Sequence, residues 1–203
     1  TTVGGMINNV KTFASVLMPG VQHMRHTHLP EHKFVKGQPE TGVEMAEDLE
    51  RIAMNFGGEN IAACIVEPIA GSTGTLVPPK GYLKRIREIC DKHGILLIFD
   101  EVITGWGRTG SAFAAQEFGV TPDMITMAKA TTNGVIPMGV VAVKEEMYDA
   151  VLDSSSNPEG TPELFHGYTY SGIPAAVAAG LAVQDIFDKE DIFNRAKELS
   201  PYF

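Results

Sequence analysis

The chain is poor in cysteine and tryptophan, with two of the first and one of the second in 203 residues. Two thiols are too few for a disulfide framework. Cys64 sits inside the apolar run Ile61-Ala62-Ala63-Cys64-Ile65-Val66, and Cys90 lies on the apolar face of a helical pattern. Both read as small buried hydrophobes, in keeping with a reducing compartment. Basic residues are also scarce: 16 Lys and Arg stand against 25 Asp and Glu, for a net charge of −9 and a pI near 5.1. That balance argues against a general nucleic-acid binder, which needs a basic face to neutralise phosphates. Long apolar runs are missing too. Ile61–Val66, Ile95–Phe99 and Ala175–Val183 all fall short of the roughly 18 residues that a membrane span needs. Internal repeats and low-complexity segments are absent. Thr1-Thr2-Val3-Gly4-Gly5 has neither the basic nor the apolar region of a signal peptide, so the expected location is cytoplasmic. Position 1 is not Met, and the chain is expected to begin at an internal point of something longer.

What is present fits a folded α/β chain. Hydrophobic residues make up 44%, charged residues 20%, and mean hydropathy is +0.01, which excludes the composition of a disordered chain. Residues 1–42 are rich in Gly, Pro and His and read as loop with short helical pieces. Residues 43–188 read as the body of a domain, and 189–203 as the start of a helical connection to a further domain. Apolar spacing at Met45, Leu49, Ile52, Ala53 and Phe56 predicts a helix over Glu44–Phe56, ended by Gly57-Gly58. A second helix is expected over Lys80–His93, stopped by Gly94, and shorter ones over Ala112–Phe118, Glu145–Leu152, Pro174–Phe187 and Asp191–Leu199. Ile61–Val66 reads as a fully buried strand, Ile95–Phe99 as a second buried strand, and Met124–Ala128 and Met138–Val143 as a third and fourth. Asn133-Gly134 suggests a reversal between the last two. Asp153–Gly160 reads as an exposed loop. Alternating strands and amphipathic helices imply an α/β fold, a mostly parallel sheet covered by helices on both faces.

Three ionisable residues recur at one place in successive units. Glu67 follows the first strand, Asp100 the second and Lys129 the third. Ligands of open α/β sheets bind outside the carboxyl ends of the strands, so two carboxylates and an amine are expected to converge on one crevice. Asp and Lys bordering such apolar runs are expected to be partly buried, and therefore paired or functional. Polarity at a strand end is also the ordinary way for a strand to stop. A Rossmann-type nucleotide site is disfavoured, because Ala70-Gly71-Ser72-Thr73-Gly74 after the first strand lacks the glycine fingerprint. His23, His26, His28 and His32 cluster without a metal-ligand spacing, and read as loop or subunit-contact residues, so no metal is assigned. Arg108 is weighed as a reader of phosphate or carboxylate, with a structural role preferred.

The stretch Ile98-Phe99-Asp100-Glu101-Val102-Ile103-Thr104-Gly105-Trp106-Gly107-Arg108-Thr109-Gly110 resembles the signature of the class III aminotransferases, which use pyridoxal 5'-phosphate (PLP). Val66-Glu67-Pro68-Ile69 upstream is similar to the same family. So are Asp123-Met124-Ile125-Thr126-Met127-Ala128-Lys129, Asn133-Gly134-Val135-Ile136-Pro137-Met138-Gly139 and His166-Gly167-Tyr168-Thr169-Tyr170-Ser171-Gly172 downstream. The resemblance implies the large domain of the type I PLP fold, present in part, and a homodimer or dimer of dimers. It implies Lys129 as the residue that joins the cofactor aldehyde and later moves the proton. It gives Asp100 the pyridinium nitrogen, Val102 a ring face and Glu67 a supporting network. Thr169 would bind the cofactor phosphate across a dimer interface, with Ser171 as a weaker companion. The chemistry demands an amine able to shed its proton near neutral pH, which desolvation favours.

The substrate reading follows from the Glu-Pro run. Ornithine- and γ-aminobutyrate-type relatives carry a second glutamate there, and Glu67-Pro68-Ile69-Ala70-Gly71-Ser72-Thr73-Gly74 has none. This resembles the ω-amino acid:pyruvate group, as does Val77-Pro78-Pro79-Lys80-Gly81-Tyr82-Leu83. The implied substrates are a small amino donor and a keto acid, pyruvate in the first place. Ile173, where relatives often carry His, and Trp106, where Phe is commoner, depart from the pattern. By the same resemblance the phosphate cup and ring-stacking aromatic belong before Thr1, and the carboxylate-reading arginine after Phe203. The alternative expectation is therefore a truncated, non-catalytic piece with apolar faces left uncovered.

Overall fold

The computed structural model describes residues 2–154, 164 and 166–202. Seven helices and four strands follow one another along these residues. Helix α1 is Ile7–Thr12 and α2 is Glu47–Phe56; strand β1 is Ala63–Val66, α3 is Tyr82–His93 and β2 is Leu96–Asp100. Then come α4 at Ala114–Phe118, β3 at Met124–Met127, β4 at Val140–Val143, α5 at Glu145–Asp153, α6 at Pro174–Lys189 and α7 at Ile192–Leu199. Every helix and strand expected from the periodicity is present, with ends shifted by up to three residues. Most of the loop expected at Asp153–Gly160 lies outside the described residues. Two compact units divide the chain, residues 1–62 with 69–95 and residues 63–68 with 96–203.

The first unit is built on α2 and α3. Leu49, Ile52 and Ala53 of α2 and Leu83, Ile86, Ile89 and Cys90 of α3 are buried, as the spacing predicts. Each such Leu or Ile contributes about 1.5–3 kcal/mol by leaving water. Gly94 ends α3 in the left-handed conformation, φ 68°, where a side chain would strain the backbone. His32 is buried with Nδ1 3.3 Å from Thr27 O and Nε2 3.3 Å from Thr41 Oγ1, so it acts as a structural tie for the loop before α2.

Acidic residues of α2 face basic residues of α3. Arg85 grips Glu47 with two donors, Nε to Oε1 at 2.6 Å and Nη2 to Oε2 at 3.2 Å. Lys92 Nζ lies 2.5 Å from Glu50 Oε1 and His93 Nε2 3.1 Å from Glu50 Oε2. The Arg85 hydrogen bond holds the Glu47 carboxyl below its ordinary range, and the Lys92 hydrogen bond, backed by His93, does the same for Glu50. A lowered carboxylate pKa in the folded state contributes stability above the unfolded value, and that contribution is lost as pH falls through the folded value. The melting temperature is therefore expected to fall by ~2–4 °C more in the native protein than in the Glu47→Gln/Glu50→Gln variant between about pH 5 and pH 3. Parallel thermal scans across that range check it.

The second unit carries the sheet, in the order β1-β2-β3-β4. β1, β2 and β3 are parallel, with Val66 beside Phe99 and Asp100 beside Thr126, and β4 is antiparallel to β3. The fold is thus α/β with a mostly parallel sheet, as expected. Asn133 and Gly134 both have positive φ, 50° and 76°, which turns the chain back for β4. The burial expected of the strands holds only in part. The strand at Ile61–Val66 is not fully buried: β1 begins at Ala63, and only Cys64 is buried while Ala63 and Ile65 are exposed. Its place at the end of the sheet order is the reason, because an apolar run tells of an apolar neighbour but not on how many sides it lies. β2, in the middle and also expected to be buried, alternates instead: Leu97 and Phe99 are fully buried, Leu96 and Ile98 only half-buried.

Candidate active site

The parallel register brings three predicted residues to one end of the sheet. Glu67 follows β1, Asp100 closes β2 and Lys129 lies two residues past β3. Asp100 is half-buried, and its Oδ1 accepts the Val102 N–H at 3.1 Å. Its Oδ2 takes no hydrogen bond among the described residues. Val102 is half-buried, and Glu67 is exposed. Thr169 lies elsewhere in the chain, in an exposed turn that Tyr168 and Ser171 close reciprocally, Tyr168 N to Ser171 Oγ at 3.0 Å and Ser171 N to Tyr168 O at 2.9 Å. Nothing among the described contacts joins it to the other four.

Lys129 is exposed, contrary to the burial expected at the end of an apolar strand. The backbone explains it. The ladder stops at Met127, and Lys129 opens a 3-10 turn, Lys129–Thr131, outside the sheet. Its φ is +47°, a left-handed conformation that is rare for a residue with a side chain and costs about 1–2 kcal/mol. The turn is closed by Thr132 N to Lys129 O at 3.3 Å and Gly134 N to Lys129 O at 3.2 Å. Strain of this kind is held in place by its surroundings, and it gathers at functional sites.

Glu101 is a residue that no sequence pattern singled out. It is 0% exposed. Its N–H donates to Thr126 O at 2.9 Å, which extends the ladder one residue past Asp100. Its carboxylate accepts three hydrogen bonds: Ala114 N at 2.6 Å, Ala115 N at 2.9 Å and Thr104 Oγ1 at 3.0 Å. Both ends of the loop between β2 and α4 are thereby tied to one buried group directly beside Asp100. Gly105 fits in that loop because a Cβ there would lie 2.8 Å from Glu101 O. Arg108 is exposed. A cavity of about 270 Å³ in the same unit is lined mainly by apolar side chains, among them Trp106, Phe113, Met127, Met138 and Leu181. None of the five predicted residues lines it.

The mostly parallel α/β sheet, a partial type I fold, agrees with the matches to known proteins. Residues 2–203 match the model of the class-III aminotransferase family, and the chain belongs to that family. Its members are PLP-dependent enzymes. Within the family it is 56% identical over 203 residues to an omega-aminotransferase of Caulobacter vibrioides, covering 100% of this chain and 45% of that one. It is 48% identical over 204 residues to a beta-alanine–pyruvate aminotransferase of Pseudomonas aeruginosa, again covering 100% of this chain and 45% of that one. A solved structure described as a transaminase with L-alanine matches with a TM-score of 0.88 at 32% identity, covering 99% of this chain and 47% of that one. The chain therefore spans a little under half the length of the relatives it matches. Among the described residues, no helix is long and apolar enough to cross a membrane.

Proposed function

We propose that the protein is a PLP-dependent transaminase that moves an amino group from an ω-amino acid or amine to a keto acid, pyruvate in the first place. The observation that carries this reading is the register that sets Asp100 and the Lys129 turn at the same end of adjacent parallel strands, in a chain of this family. The donor leaves as a carbonyl compound and the keto acid as an amino acid, so no outside oxidant or reductant is needed. The relatives named for β-alanine and pyruvate support the substrate class. So does the absence of a second carboxylate after Glu67-Pro68.

The residues present suit the cofactor. Asp100 keeps one oxygen on Val102 N, so the other is available to a protonated ring nitrogen. When bound, PLP supplies an electron sink for the carbanion formed as the substrate loses a proton. Lys129 would hold the cofactor through Nζ, and the same amine would carry that proton. Asp100 holds the ring proton in place by charge. Val102 covers a ring face, Glu67 supports the site from the neighbouring strand, and Thr169 serves the phosphate from a partner subunit. A cytoplasmic homodimer or dimer of dimers completes this reading, as does the division into 1–42, 43–188 and 189–203 about the cofactor-binding body.

Borohydride reduction of the purified protein with PLP, followed by peptide mapping, tests it. The label is expected on Lys129 and is expected to vanish in Lys129→Ala. A second reading has its own observation, the coverage of 45% of the first relatives: 203 residues would then carry Lys129 and Asp100 without a competent site. Labelling of the 203-residue chain at Lys129 overturns that second reading. A label spread over surface lysines overturns the first.

A further inference from the structure

One side chain of the loop after Asp100 hydrogen-bonds to the Lys129 turn. Trp106 Nε1 donates to Thr131 Oγ1 at 3.0 Å. Thr131 Oγ1 in turn donates to Ala128 O at 3.0 Å, and Thr131 N reaches the same carbonyl at 3.0 Å. Ala128 O belongs to the peptide group whose nitrogen is that of Lys129. Two donors from one buried threonine therefore fix the peptide plane that sets the left-handed φ of the lysine. A threonine hydroxyl has a single proton, so its rotor is free to turn away unless a donor occupies its lone pair. The Trp106 N–H does that.

Trp106 is itself held firmly. Its ring packs on Phe113 at 5.2 Å and stacks on Phe187 of α6 at 6.0 Å with planes 19° apart, and Phe187 meets Phe193 at 5.5 Å. Its own φ is +60°, and its backbone N–H donates to Ala112 O at 2.6 Å. A phenylalanine would keep the stack but lose the indole donor.

We propose that Trp106 is a positioning residue for Lys129, acting through the Trp106–Thr131–Ala128 hydrogen-bond chain, so that the loop anchored beside Asp100 and the turn bearing Lys129 move as one piece. The proposal rests on Lys129 being the cofactor lysine.

The test uses Trp106→Phe, Thr131→Val, Thr131→Ser and the Trp106→Phe/Thr131→Val pair. Without cofactor, amide exchange at residues 131–134 is expected to quicken about tenfold in Trp106→Phe and Thr131→Val. The pair is expected to show no more than either single change, because both cut one chain, and Thr131→Ser is expected to match the native protein. With PLP, the pH midpoint for borohydride labelling of Lys129 is expected to move in the first two variants and not in Thr131→Ser. Native exchange in Trp106→Phe and Thr131→Val, or additive effects in the pair, overturns the coupling. Faster exchange with an unmoved labelling midpoint reduces Trp106 to a purely structural role and overturns the proposal. A native protein unlabelled at Lys129 sinks the functional reading instead, and the exchange data still judge the hydrogen-bond chain.

Discussion

Asp100→Asn is expected to lower transamination by about 10²–10³-fold while leaving borohydride labelling at Lys129 intact. The substitution is nearly isosteric. Asparagine still offers Oδ1 to the Val102 N–H, now 3.1 Å away, so the end of β2 keeps its shape. Only the negative charge is lost. If Asp100 acts by keeping a ring nitrogen protonated, that charge matters most where electrons flow into the ring, and little where an amine meets an aldehyde. Steady-state turnover and labelling, measured on the same preparation, separate the two. Near-native turnover would remove Asp100 from the mechanism, and loss of labelling would mean that the substitution had disturbed the fold.

Glu101→Ala is expected to destabilise the protein by about 3–5 kcal/mol, more than Asp100→Asn or Trp106→Phe. Glu101 has no exposed surface and takes three hydrogen bonds. Alanine leaves the Ala114 and Ala115 N–H groups at the start of α4 without their acceptor. Each buried, unpaired donor costs about 1–3 kcal/mol, and the emptied space adds to it. Glu101→Gln keeps one acceptor oxygen but turns an NH₂ toward a donor, so about half the loss is expected. Urea unfolding with an unchanged slope would assign the shift to stability. A midpoint within experimental scatter of the native one would refute the anchoring role. Turnover should fall with Glu101→Gln as well, because the group that ties both ends of the loop lies next to Asp100.

Much of this was legible in the residue order. Leu83, Ile86, Ile89 and Cys90 repeat at helical spacing and bury one face of α3, since a periodic apolar stripe states both the element and its inward side. The strand ends at Glu67, Asp100 and Lys129 were legible for a similar reason: apolar runs stop where polarity begins, and parallel strands stop at the same end. The exposure of β1 was not, because Ile65 is apolar whether one or both of its faces are covered. Nor was the exposure of Lys129, which depends on a turn conformation that no local propensity favours. Glu101 stands next to Asp100 in the chain and still carries no such signal. Its partners begin a helix 13 residues on, and no spacing rule says which buried amides a carboxylate will find. Trp106 stood out only as a departure from a commoner phenylalanine. What the indole nitrogen adds depends on a hydroxyl 25 positions away, beyond the reach of any pattern read along the chain.

The left-handed turn at Lys129 also bears on how this protein can be improved. Glycine is the residue that a φ of +47° would suit, and a selection that rewards only heat resistance would push position 129 toward it. On the proposed role of Lys129, durability and chemistry pull in opposite directions at that one backbone angle. A programme of stabilisation would do better to work on α2 and α3, which lie outside the proposed site, and to hold the segment from Ala128 to Gly134 unchanged.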